Sequence, residues 1–257
     1  MKKLLALLLA LCMVMAFAAC QPADDNQPDE TTTAPVVDIH EKSEGVMTHA
    51  EYIAAEVGAE VTVECFVQGT QEWWEDKITI YAQDKDGGYF MYNMACSEDM
   101  SKELVPGTKI RAKGEKAEWS GEIEIMEGTI EILEGSYIAE AVDVTAELGT
   151  DALAAKQNML ASFKGATVVA KTDADGNEVP FLYKWNGAGT EGDDIYFDVE
   201  INGATYTFTI ESYLTADGTD AYEAAQALQV GDKIDMTGYL YWYEGVQPHI
   251  ISITPAA

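Results

Sequence analysis

The chain has 257 residues, 45 of them acidic against 15 basic, and a formal net charge of −30. Nucleic acids and anionic membrane surfaces draw much of their protein affinity from Lys and Arg, and Arg111 is the sole arginine, so this balance argues against both as partners. Acidity of this kind also keeps a protein soluble at a crowded surface, without requiring an acidic active site.

Lys2 and Lys3 precede an apolar run over 4–19 that ends at Cys20. A charged start, an apolar stretch and small residues at its end are the parts of a secretory signal, and the run is short of the ~20 residues a membrane-spanning helix needs. Phe17-Ala18-Ala19-Cys20 resembles the lipobox of bacterial lipoproteins, departing from it at Phe17, where Leu is commoner. That resemblance implies a signal peptide over 1–19, a lipidated Cys20 as first mature residue, and a protein held by its lipid to the outward face of a membrane. Residues 20–46 are rich in Pro, Thr and acids, a composition that buries too little to offset ordering entropy, and read as a tether. Of the other cysteines, Cys12 leaves with the signal, while Cys65 alternates with valines and reads as a small core residue. A Cys65–Cys96 disulfide stays open as an alternative in an exported chain.

The remainder is long enough for two small domains, and it repeats itself. Gly107, Lys109, Ile110, Gly114, Trp119 and Gly121 recur at one constant offset as Gly231, Lys233, Ile234, Gly238, Tyr243 and Gly245, so one supersecondary unit is built twice, over 47–135 and 136–257. In the first copy, strands are expected at 61–67, 77–83 and 89–94, the last two joined by an Asp86-Gly87 turn. A short helix capped by Ser97 follows, then two strands hinged at 119–121. In the second copy the strands fall at 166–172, 194–201 and 206–210, a helix opens at Asp220 with a capping-box pattern, and two strands close the unit. An inserted hairpin and loop occupy 173–193. Three strands, a short helix and two strands make the OB-fold order, so the expected class is all-β: two tandem five-stranded OB-fold-like barrels. Through 84–93 (DKDGGYFMYN) and 114–125 (GEKAEWSGEIEI) the chain is similar to exported bacterial lipoproteins of undefined function with tandem OB-type domains.

OB-folds bind on the face of strands two and three and in the one-to-two and four-to-five loops. Those places hold Trp73, Trp74 and Trp119 in the first copy, and Trp185, Trp242 and Tyr243 in the second; these are the expected ligand-binding residues. Aromatic faces stack on bases or sugars, although each ring could equally plug a barrel end. The polar sheet face of the second copy, with Asp198, Glu200 and Thr207 and no Lys or Arg, suits sugar hydroxyls or a cationic peptide better than phosphate, so a glycan or another envelope component is the expected ligand, with an envelope protein next and nucleic acid unlikely. Asp173, Asp175, Asn177 and Glu178 match a calcium loop incompletely, and a plain Asp-Gly turn is preferred. His40, His49 and His249 form no constellation, and no nucleophile elbow, phosphate loop or zinc motif is present, so neither catalysis, a metal nor a cofactor is expected.

Overall fold

The computed structural model describes residues 38–256. The signal segment and Cys20 lie outside the described residues, as does most of the expected tether. The part of that tether from 38 to 46 is packed against the first barrel. His40 stands edge-on to Phe66 and Tyr137, the Lys42 ammonium meets the Asp84 carboxylate, and Ser43 is bonded to Glu64 and Arg111.

The first unit opens with helix α1 (His49–Ala54), closed at its start by a reciprocal Thr48/Glu51 capping box. Strands β1 (Glu60–Thr70), β2 (Lys77–Gln83) and β3 (Gly88–Ala95) follow, then the single-turn helix α2 (Glu98–Ser101), β4 (Thr108–Trp119) and β5 (Glu122–Ser136). They close as a barrel in the order β1-β2-β3-β5-β4, with β3 parallel to β5. Its core is one cluster containing Val61, Val63, Cys65, Ile80, Met91 and Ile110. Tyr52 of α1 plugs one end, and the Lys116 ammonium caps α1 by donating to the carbonyls of Tyr52, Ile53 and Ala55. Cys65 and Cys96 are buried free thiols, so the disulfide alternative gives way to the core reading.

The second unit contains β6 (Val142–Asp143), β7 (Leu160–Val169), β8 (Lys171–Thr172), β9 (Glu178–Val179), β10 (Leu182–Tyr183), β11 (Ile195–Ile201), β12 (Ala204–Ile210), α3 (Asp220–Gln226), β13 (Lys233–Tyr239) and β14 (His249–Pro255). Strands β7, β11, β12, β14 and β13 close the second barrel through the additional β11–β7 pairing. The short β8–β9 hairpin and β10 form the insertion. Both barrels are therefore OB-fold-like, with a helix between the third and fourth strands. Two local expectations shift. The first strand of the second barrel starts at Leu160 rather than 166, and α3 is capped by Thr219, whose hydroxyl accepts from the Tyr222 amide, rather than opening at an Asp220 cap.

The repeated glycines now have physical reasons. Gly107 and Gly231 share positive φ values of 96° and 93°, and their amides donate to Val67 and Val168, equivalent positions on β1 and β7, both at 2.8 Å. Gly114 and Gly238 sit at β-bulges where a Cβ would come 2.7 Å from the Met126 carbonyl and 2.3 Å from that of His249.

Candidate functional site

The barrels meet through the outer face of β2 and β3 in the first and of β13 and β14 in the second. Tyr81 stacks on Tyr239, with centroids 4.5 Å apart and rings inclined by 20°, and Phe90 completes the buried cluster beside them. The Tyr239 hydroxyl donates to the Gln68 carbonyl at 2.8 Å. Burial pushes the His249 imidazole down to about 3, so it is neutral, and its Nδ1 is hydrogen-bonded to the Tyr81 hydroxyl at 2.6 Å. Around this centre Gln83 accepts from the Leu160 amide, Asn158 donates to the Ile123 carbonyl, and the Glu72 amide donates to the Tyr213 carbonyl. With polar partners on every side of an apolar centre, the interface holds both barrels in one orientation. The face that OB-folds commonly offer to ligand is, in the first barrel, partly spent on this contact.

Beside the interface lies a cleft of about 1170 Å³ lined by both barrels. Its walls carry Trp74, Trp119 and Tyr92 from the first barrel, and Trp185, Tyr213 and Tyr243 from the second. All six rings are exposed, Trp185 at 75% and Trp74 at 69%. Exposed large rings gathered on one concave surface mark a binding site more strongly than the same rings scattered.

Trp119 and Tyr243 stand at matching positions because each precedes a turn with positive φ: Ser120 and Gly121 in one, Glu244 and Gly245 in the other. The two turns meet: the Glu244 amide donates to the Ser120 carbonyl at 2.8 Å, and both rings face the same cleft. Trp74 and Trp185 join them. Two expected contact residues do not line the cleft. Trp73 packs against the first core, its indole N–H donating to the Cys96 carbonyl at 2.8 Å, and Trp242 packs against the second core. A ring whose polar atom must find a buried partner is held as a plug.

The cleft also contains groups that sequence reasoning missed. Glu211 accepts from Gln71 Nε2 at 3.0 Å across the barrel boundary, and burial raises its carboxyl to about 7. Glu124 on β5 is 7% exposed, and burial raises it too. At the interface beneath them Glu122 is fully buried, accepts from the Trp242 amide at 2.9 Å, and is pushed up to about 8 by burial. Tyr92 and Tyr213 were likewise not anticipated. The alternation of β5 places Glu122, Glu124 and Met126 together on its outer face, a local signal that was available; the contribution of the 211–213 segment was not, because it arises from packing between barrels.

The second-barrel sheet face is less free than its composition suggests. Thr209 is buried, and Asp198 is paired with Lys171 at 2.7 Å while accepting from Thr207, so a lysine does serve that face. Asp173 accepts the Asp175 and Asn177 amides in the β8–β9 turn, as a plain Asx turn does. Among the described residues no three His, Cys, Asp or Glu side chains are arranged to hold a metal ion, and no helix is long and apolar enough to cross a membrane.

No protein-family model and no curated protein matches the chain. Solved structures of similar fold include the Ifi202 HINa domain in complex with double-stranded DNA (13% identity, TM-score 0.34, 77% of this chain and 100% of that one). A murine DNA-binding protein bound to double-stranded DNA is similar at 11% identity and TM-score 0.35, over 76% of this chain and 96% of its own. A replication protein A heterotrimer bound to single-stranded DNA is similar at 10% identity and TM-score 0.26, over 84% of this chain and 70% of that chain. At these identities the likeness is one of fold. With TM-scores of 0.34, 0.35 and 0.26 it assigns no ligand to this chain. Those neighbours are described as bound to DNA, so the glycan expectation and the expectation that nucleic acid is unlikely are not carried forward as findings.

Proposed function

We propose that this chain is a non-enzymatic binding module whose ligand lies in the cleft between the barrels, gripped by stacking on rings from both. The observation that carries this reading is the convergence of exposed Trp74, Trp119, Trp185 and Tyr243 on one preformed concave surface. A preformed cleft loses little order on binding, which favours affinity. A segment of another macromolecule is the ligand class that suits a cleft of about 1170 Å³ walled by exposed rings. A single strand of nucleic acid is the second reading, favoured by the ring platform itself, since base-on-aromatic stacking contributes about 1–3 kcal/mol per base and tolerates any sequence. Titrating single-stranded oligonucleotides and peptides against tryptophan fluorescence tests the site. Ligands should perturb the emission of wild type and do so less in Trp119→Ala; an unchanged response in that variant refutes the cleft as the binding surface.

The Phe17-Ala18-Ala19-Cys20 sequence supports a lipid-anchored, outward-facing location for this module. Replacing Cys20 with Ser should release the chain from membranes and abolish acyl labelling. Retention of the variant in the membrane fraction without acylation of either form contradicts the anchor.

A further inference from the structure

The charge of the cleft narrows its ligand, on the footing that the cleft is the binding site. Glu72, Glu118, Glu124, Glu211 and Glu244 line it against a single cationic side chain, Lys77, the lining His249 being neutral. Glu124 is the telling member. It is 7% exposed and lines the cleft, yet among the described residues its side chain has neither a hydrogen bond nor an ion pair. Its oxygens are not among the atoms sealed from solvent, so a cation entering the cleft can reach a carboxylate that no protein group already holds. Ring faces carry negative quadrupole charge and attract ammonium and guanidinium groups, and carboxylates add charge-assisted hydrogen bonds to the same groups. Phosphates entering this cleft would meet those carboxylates as like charges.

We propose that the cleft receives Lys or Arg side chains from a basic segment of another protein, with Glu124 as counter-charge and Trp119, Trp185 and Tyr243 as ring faces. Rings from two barrels and a carboxylate from one make such a grip dependent on the fixed barrel orientation. Side chains of the partner segment would insert between them, while its backbone runs along the cleft.

The test uses the full chain and three probes: a short lysine-rich peptide, its glutamine-for-lysine counterpart, and single-stranded oligothymidylate, each titrated by calorimetry and tryptophan fluorescence. The lysine-rich peptide should bind, progressively more weakly as salt rises, and its counterpart should not. Glu124→Gln keeps the shape of the side chain and should weaken the lysine-rich peptide roughly tenfold or more, with circular dichroism and melting unchanged or improved. Equal binding of the glutamine counterpart, no binding of the lysine-rich peptide, or tighter binding of oligothymidylate overturns the proposal. The Trp119→Ala variant separates the two levels. If it weakens the neutral peptide or oligothymidylate while Glu124→Gln does not, the cleft remains the site and the cationic ligand falls; if no probe responds to Trp119→Ala, the cleft reading falls with it.

Discussion

Trp119 and Tyr239 are both large aromatics on the first and second barrels' fourth strands, and they should fail in opposite ways. Trp119 is 60% exposed, so Trp119→Ala, like Tyr243→Ala, should move unfolding by no more than about 0.5 kcal/mol while weakening ligand capture. Tyr239 is 3% exposed, stacked on Tyr81 and bonded to Gln68, so Tyr239→Ala should cost roughly 3–5 kcal/mol. Denaturant unfolding of the variants measures both; a large loss at Trp119 would make it a plug. Glu122 sets a pH dependence. Its folded-state value of about 8 lies above the ordinary 4.5, so the native state binds a proton that the unfolded chain has released. Its contribution to stability is fully present below pH 4.5 and declines as pH rises to about 8, by a few kcal/mol in all. Glu122→Gln should flatten that decline in melts taken across the window, and an unaltered profile would show that the carboxyl is not the group responsible.

At the level of the element, the constant-offset repeat made the fold legible because each repeated glycine answers a backbone demand that both barrels share. Gly114 and Gly238 each sit at a bulge with a carbonyl where a side chain would go. Either substitution by Ala should therefore cost about 1–3 kcal/mol, seen as a lower denaturant midpoint; a neutral effect at both would mean the bulges relax freely. The periodicity also found β2 to the residue, and the alternating Phe197, Val199, Phe208 and Ile210 of the second barrel are all fully buried. It missed the start of β7, whose first residues, Leu160 to Gly165, alternate neither in apolar character nor in burial. Trp73 and Trp119 were indistinguishable from composition, both being rings in or beside loops. Their fates differ through one long-range bond, the Trp73 indole to the Cys96 carbonyl, which no local pattern reports.

At the largest scale, two similar barrels are turned so that equivalent turns meet, as the Glu244–Ser120 bond shows, and rings from both copies line one shared cleft. This is the part the sequence could not disclose: the repeat fixes what each copy is, while the interface of Tyr81, Phe90 and Tyr239 fixes how the copies face. Glu124 and Glu211 become cleft residues only through that orientation. The central claim is that a ligand lies between the barrels and touches both. Tryptophan oxidation footprinting, read by mass spectrometry with and without the lysine-rich peptide, tests it most directly. In the free protein Trp74, Trp119 and Trp185 should be modified quickly and Trp73 and Trp242 slowly, and the bound peptide should protect the first three together. Protection confined to the rings of one barrel, or protection of none of them under saturating peptide, would contradict a shared cleft.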